Sequence, residues 1–490
     1  MSQIPILIII LPLIIVPIIL LLRNNLYSYI LSIAVSLINL VLTILLLQYV
    51  LKSGNLYYEL GSWSAPIGIR LNADLLACYF LLLINLMSFI CLAAGKKIID
   101  DTVQENNIFL FYIAWLLCNI GFCGIILTDD IFNLFVFLEI SSLSSYFLIS
   151  QGTHKASPIA AIQYLFIGSI GAVFILLAIG MLYVNTGTLN MTDISQSISI
   201  GNISLPIVLS IGLFFVGIGI KSALFPLHGW LVKTYSYAPS IVVTYFSGTS
   251  TKVGIYILLR VFLDIFHTIE PLEYYDLASF ILFLSLLGVF LSTFFAIRQN
   301  EVNKMLAYSS IAQLSYILIA IMLMTPEGLS AALIHIFNHS IIKTGLFLTI
   351  AVLFVNQSNI TISDLAGYGK KFPVLMLSFL ILILSLIGLP LTSGFISKWY
   401  LVSSILDSNV WYISIMVLVT SFMTVFYAWL LIEKIYFSDL VDSKKYSHFE
   451  FRYSFVILLA IASIFLGIDT ALTVDLSEEI SNQFYMVLDK

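Results

Sequence analysis

Apolar residues run in long uninterrupted blocks instead of alternating with polar ones. From Ile4 to Leu22 no position is charged, and blocks of similar length recur to within twenty residues of the C-terminus. A bilayer core takes about 20 apolar residues per helix. Cutting the chain at its polar interruptions gives fourteen segments, near 4–22, 27–51, 71–95, 108–127, 130–150, 156–184, 203–232, 239–262, 276–297, 302–324, 329–355, 372–404, 409–432 and 452–473. The expected fold is therefore an all-α polytopic membrane protein of about 14 transmembrane helices, with residues 1–490 forming a single integral membrane domain. The first block lacks a basic leader and a small-residue cleavage site, so it reads as a retained helix.

Two segments are too long and carry helix breakers near their middle: the seventh at Pro226 and the twelfth at "GLPLTSGF", Gly388 to Phe395. Helices 7 and 12 are thus expected to be broken. Their positions differ by five helices, which predicts two inverted five-helix repeats, spans 4–8 (108–262) and 9–13 (276–432). Interrupted helices at matching places in two halves point to an ion pathway near the midplane.

Composition strengthens the membrane reading. Apolar residues make up 60% and charged residues 10% of the chain, against roughly 45–50% and 25% in soluble domains. The net charge of −5 is spread over short loops without a block of like charge, so nothing suggests a nucleic-acid surface or a polybasic tail. Cys78, Cys91, Cys118 and Cys123 all fall in apolar segments, without CxxC or Cys/His spacing, and neither a disulfide framework nor a metal site is expected.

Basic residues accumulate in cytoplasmic loops. Loops after odd-numbered spans carry Arg23, Lys96, Lys97, Lys155, Lys233, Arg298, Lys304, Lys370, Lys371, Lys434, Lys444, Lys445 and Arg452, whereas the other side carries Lys52, Arg70, Arg260 and Lys490. The split of thirteen to four places both termini outside the cytoplasm.

Four lysines remain, Lys221, Lys252, Lys343 and Lys398, joined by Glu139 in "FNLFVFLEISSLSSYF", each several residues inside a span. A central charge costs about 2.5–3.5 kcal/mol on insertion scales, so five cost on the order of 12–17 kcal/mol before pairing or hydration relieves them. That rivals the roughly 5–15 kcal/mol net stability of a soluble domain. Such residues mark ion or proton routes by default. Freed carbonyls at the Pro226 break could instead hold the Lys221 ammonium locally. A buried lysine loses proton affinity and a neighbouring carboxylate restores it, so these positions can switch. His335, His339 and Lys343 recur every four residues of one span and share a face. The pair in "HIFNH" lacks convergent metal ligands. His228, at the helix break, fits an interfacial hydrogen bond as well as a proton role. No GxxxxGK[ST] loop occurs, and "GYGKKF" is not a strand-to-helix fingerprint, so neither a cofactor nor ATP-driven transport by this chain alone is expected.

The pieces "LTDDIFNLFVFLEISSLSSYFLI", "IKSALFPLHGWLVKTYSYAPS", "TKVGIYILLRVF", "HIFNHSIIKTGLFL" and "GLPLTSGFISKWYL" resemble the proton-pumping antiporter-like membrane subunits shared by respiratory complex I and the Mrp-type multisubunit cation/proton antiporters. Within that family they look most like the D-type member of the Mrp complexes. The histidine of "FPLHGWL" and the segments "KTYSYAPS" and "SKWYL" depart from that member's pattern. The resemblance implies a proton pathway through Glu139, Lys221, Lys252, His335, Lys343 and Lys398, with His228, His339 and Asp130 as accessory candidates. It further implies a non-catalytic subunit of a multisubunit Na+/H+ antiporter in a bacterial inner membrane, whose partners are other antiporter subunits, protons and a monovalent cation, sodium first among them. The alternative it carries is a non-redox, proton-pumping membrane subunit of NADH:quinone oxidoreductase. A third possibility is a scaffold kept for assembly alone.

Overall fold

The computed structural model of the chain describes residues 2–488 apart from 153, 201–203, 267–270, 356, 358, 409 and 440–449. Lys444, Lys445 and Lys490, counted among the basic residues above, lie outside the described residues. The helices are α1 (Ile4–Leu22), α2 (Asn25–Ser53), α3 (Leu75–Thr102), α4 (Ile108–Leu127), α5 (Ile131–Ser150), α6 (Ser157–Thr186), α7 (Met191–Ile200), α8 (Leu205–Lys221), α9 (Gly229–Tyr237), α10 (Ser240–Gly248), α11 (Ser250–Arg260), α12 (Pro271–Ile297), α13 (Val302–Ile321), α14 (Pro326–Leu353), α15 (Tyr368–Lys371), α16 (Pro373–Ile387), α17 (Ser393–Asp407), α18 (Trp411–Phe437), α19 (Tyr453–Ile468) and α20 (Ala471–Leu488). A two-stranded antiparallel hairpin, β1 (Leu56–Glu59) and β2 (Arg70–Ala73), joins α2 to α3.

Among the described residues eleven helices are long and apolar enough to cross a membrane, or twelve with α19 and α20 counted as one bent span. The two interrupted spans of the sequence stand outside that number, because each is a pair of shorter helices: α8 with α9, and α16 with α17. α16 stops at Gly388, whose φ of +92° belongs to the left-handed region that favours glycine. Short polar side chains start the helices by accepting from their free N–H groups: Asn24 for α2, Asp74 for α3, Asp130 for α5 and Thr325 for α14.

The chain divides into two compact units, the first comprising Met1–Ser222 and Thr249–Tyr274, the second Ala223–Gly248 and Tyr275–Lys490. In the first, α4 packs on α1, α2, α3, α5 and α11, and α6 packs on α5 and α8. Small residues permit the close approaches. A Cβ on Gly217 of α8 would stand 2.7 Å from the carbonyl oxygen of Gly171 on α6, and one on Gly121 of α4 would stand 2.7 Å from the backbone nitrogen of Ser141 on α5. The outer face of α6 exposes Ile159, Ile162, Phe166, Ile170, Val173 and Leu177 at three- and four-residue spacing, an apolar stripe suited to acyl chains.

In the second unit α14 is the hub, touching α10, α13, α16, α17, α19 and α20. Every residue from Gly328 to Val352 is buried. A helix enclosed on all sides needs polar partners for each polar side chain it carries.

Several expectations need correction. Lys52, Lys96, Lys97, Lys233, Lys304 and Lys434 sit within helices and not in loops. Helices of 27 to 29 residues, such as α2, α3 and α18, exceed the ~20 that a bilayer core requires, so basic residues at their ends keep helical backbone. The third helix begins at Leu75, because Arg70–Ala73 is strand. Arg260 is no loop cation. It is buried at the end of α11, donates to Asp74 Oδ1 at 2.6 Å and Asp264 Oδ2 at 3.0 Å, and its Nε donates to the Tyr256 hydroxyl at 2.7 Å. Arg70 likewise pairs with the buried Asp129, between α4 and α5. Burial pushes the Asp129 carboxyl above the ordinary range, against the pull of Arg70 and Asn190. Glu139 is therefore not the sole enclosed acid, and two arginines with three carboxylate partners belong to the framework of the first unit. The last expected span ends at Ile468, where a 63° bend leads into α20, an amphipathic helix that sequence patterning left out.

Candidate functional site

The first unit gathers Glu139, Lys221 and Lys252 on three helices. Lys221 is the last residue of α8, and its ammonium donates to the Ser142 hydroxyl of α5 at 2.7 Å. Glu139, one turn earlier on α5, lies 3.7 Å away through Oε1, which is enclosed and accepts no hydrogen bond among the described residues. The two charges attract without being locked by a direct hydrogen bond. Exposure differs sharply: the Lys221 side chain is 4% accessible and that of Glu139 32%.

Ser141, Ser144 and Ser145 donate to carbonyls of their own helix, α5, whereas Ser142 faces Lys221. A cavity of about 20 Å³ adjoins the ammonium, lined by Ser141, Ser142, Ser145, Tyr164 and Ser250 among others. That volume holds about one water, and the lining offers it polar partners. Lys252 is fully buried on α11, and its neighbours Ser250, Val253 and Gly254 line the same cavity.

The second unit holds His228, His335, His339, Lys343 and Lys398. On α14 the imidazoles of His335 and His339 lie nearly parallel, 6.0 Å between centroids and 3° between planes, as the four-residue spacing requires. His335 Nδ1 shares a 2.9 Å hydrogen bond with the Ser397 hydroxyl of α17. One turn beyond His339, Lys343 donates to the Leu306 carbonyl of α13 at 3.0 Å and to the Ser309 hydroxyl.

Lys398 follows Ser397 on α17. Its ammonium donates to the carbonyls of Leu386 (3.2 Å) and Ile387 (2.7 Å), the last residues of α16, and to Ser421 Oγ at 2.9 Å. The Tyr316 ring lies below it, 5.7 Å from ammonium to centroid. The local carbonyl patch that Pro226 suggested for Lys221 thus exists at the other break, around Lys398.

The accessory candidates fall apart. Asp130 caps α5, accepting from Asn133 N at 2.7 Å. His228 precedes α9, stacks on Phe225 at 5.3 Å, and meets Tyr308 edge-on at 6.4 Å. Its Nδ1 is enclosed with no hydrogen-bond partner among the described residues. His339 stays with His335. Sequence reasoning missed the hydroxyls of Ser142, Ser309, Ser397 and Ser421. Only Ser142 carried a signal, as part of the serine-rich "EISSLSSY" inside an apolar run. No group of three or more His, Cys, Asp or Glu side chains that could hold a metal occurs among the described residues.

The hydroxyls and carbonyls that hold the buried ammonium groups of Lys221, Lys343 and Lys398 can accept a hydrogen bond from the lysine whether or not it has given up a proton.

A family model described as NADH:quinone oxidoreductase/Mrp antiporter, transmembrane region, matches residues 128–424, which include every candidate above. Over 384 residues the chain is 37% identical to the N-type subunit of NADH-quinone oxidoreductase from Desulforudis audaxviator, covering 78% of this chain and 76% of that one. Over 389 residues it is 31% identical to the D-type subunit of the Na+/H+ antiporter from Alkalihalophilus pseudofirmus, covering 79% and 77%. Among solved structures, a chain of the membrane-bound sulfane sulfur reductase, an archaeal respiratory membrane complex, superposes with a TM-score of 0.91 at 27% identity over 99% of both chains.

Proposed function

Because the chain belongs to the NADH:quinone oxidoreductase/Mrp antiporter family, we propose that it is the proton-translocating subunit of a multisubunit monovalent cation/proton antiporter. Protons move along buried Glu, Lys and His side chains while the Glu139–Lys221 pair closes and opens. The observation that carries this reading is the spacing of that pair. At 3.7 Å the attraction amounts to a few kcal/mol at an effective dielectric near 20, enough to draw the two groups together without locking them. Ser142 holds the ammonium when the carboxylate swings away, so opening strands no bare charge. Lys252, His335, Lys343 and Lys398 carry the proton onward, with sodium as the exchanged cation.

Two further features belong to the proposal. The interrupted spans mark two inverted repeats, 108–262 and 276–432. The chain sits in a bacterial inner membrane with both termini away from the cytoplasm. Setting aside the buried Arg260 and the three lysines outside the described residues leaves eleven basic residues on one side against two on the other, which supports that orientation.

Everted vesicles carrying the intact complex test the function. Adding Na+ should drive proton movement that falls about a hundredfold or more in Glu139→Gln and in Lys221→Ala, as expected when a proton-transfer group is removed, with protein levels in the membrane unchanged. Undiminished flux in both variants would refute the assignment. A second reading, a pumping subunit of a redox-driven complex, is favoured by the 37% identity to the oxidoreductase relative. Under that reading the co-purifying chains include a peripheral redox arm, and proton movement follows electron transfer instead of Na+.

A further inference from the structure

A cleft of about 190 Å³ lies within the second unit where the first turns of α14 meet α17 and α20. Its lining comprises Pro326, Glu327, Ser330, Tyr400, Glu478, Ser481 and Asn482. Every polar side chain there presents oxygen, two of them are carboxylates, and none is basic. Ser330 adds an independent sign. It is 3% accessible and lines the cleft, yet its hydroxyl has no hydrogen-bond partner among the described residues. Ser481, which lines the same cleft, and Ser285 and Ser340 elsewhere in this unit donate to the carbonyl four residues back, whereas Ser330, like Ser292 and Ser477, has no such partner among the described residues. An enclosed hydroxyl that forgoes this bond costs about 1–3 kcal/mol unless a ligand or water engages it.

We infer that this cleft binds a hard alkali cation, sodium in the first instance, through the carboxylates of Glu327 and Glu478 and the Ser330 hydroxyl. Carboxylate, hydroxyl and amide oxygens, with no thiol or imidazole in the lining, select hard cations over transition metals. Two carboxylates and neutral oxygens, with no cluster of three acidic or histidine ligands among the described residues, suit a monovalent ion better than calcium, whose affinity rises with the number of charged ligands. The partial positive charge at the N-terminus of α14 is offset by Glu327 in its first turn, leaving Glu478 to make the cleft attractive to a cation. Glu327 precedes His335 by eight residues on the same face of α14. An ion here would therefore sit toward the N-terminal end of the helix that carries His335, His339 and Lys343.

The inference concerns binding and stands whether the complex is driven by cation exchange or by electron transfer. The full chain, purified in detergent, is titrated with NaCl at constant ionic strength against choline chloride, with 23Na line broadening as the readout. The account expects saturable broadening, an affinity about tenfold weaker in Glu478→Gln and in Glu327→Gln, corresponding to roughly 1.4 kcal/mol each, retention in Glu478→Asp, and loss in the double Gln variant. Ser330→Ala, which leaves the carboxylates in place, should weaken binding by a smaller factor. Size-exclusion elution and far-UV circular dichroism matching the unsubstituted chain show that the variants are folded. Absence of saturable broadening, equal broadening in the double Gln variant, or complete displacement of Na+ by an equimolar amount of CaCl2 would overturn it.

Discussion

Two lysines stand at two interrupted helices, and their surroundings have little in common. Lys221 ends α8 and looks across to another helix, where it finds a hydroxyl at 2.7 Å and a carboxylate at 3.7 Å. Lys398 lies in the second turn of the second half of its span and reaches back to carbonyls at the end of the first half, at 2.7 and 3.2 Å, with Ser421 completing the set. Carbonyls at a helix C-terminus carry roughly half a negative charge that cannot be protonated or swing away. Lys398 is thus held by fixed dipoles, and its ammonium ties the break together. Lys221 is held by a side chain that can rotate and change charge. On the function proposed above, Lys221 works as a switch, whereas Lys398, besides passing the proton on, clasps its break. What separates them is the mobility of the partner, not depth or burial, for Lys221 is 4% and Lys398 8% exposed.

Removing each ammonium without removing its volume breaks or sharpens this contrast. Lys398→Met should give the largest structural effect, because it unties two carbonyls and Ser421 at once. About 1–3 kcal/mol of stability is expected to go, seen as a lower thermal transition of the purified complex, together with loss of flux. Lys221→Met should lower that transition by less, since it gives up one hydrogen bond, to Ser142, instead of three, while flux falls as far as in Lys398→Met. Equal destabilisation by the two would erase the distinction between clasp and switch.

Ser142→Ala should act last and least. The open state of Lys221 loses its acceptor and the closed pair gains weight, so flux should slow by a factor of roughly 10 or less, in keeping with a single hydrogen bond. The thermal transition should stay put. A drop as deep as that of Glu139→Gln would mean that the hydroxyl itself carries the proton.

Legibility in the sequence followed the range of the interactions. The spans and both interruptions were readable because a bilayer imposes its length on each apolar block and because Pro226 and Gly388 act locally. The row His335, His339, Lys343 was readable from four-residue spacing, which is a property of one helix. The acceptors of those side chains were not, since Ser397 lies 62 residues from His335 and Leu306 lies 37 from Lys343. Arg260 was misplaced because a charge at the edge of an apolar block looks the same whether it enters a loop or meets Asp74, 186 residues away. The helix α20 escaped because Asp475, Glu478 and Glu479 lower its hydropathy below that of a span, although the helix packs on α14.

The central claim is that Glu139 and Lys221 work as one device. A double-substitution cycle of Glu139→Gln and Lys221→Met, with Na+-driven proton flux in vesicles as the readout at matched protein levels, tests it most directly. Coupled groups give a double variant no slower than the slower single one, and that is the result expected. Losses that multiply, so that the double variant falls by the product of the two single effects, would show two independent charges that merely lie near each other.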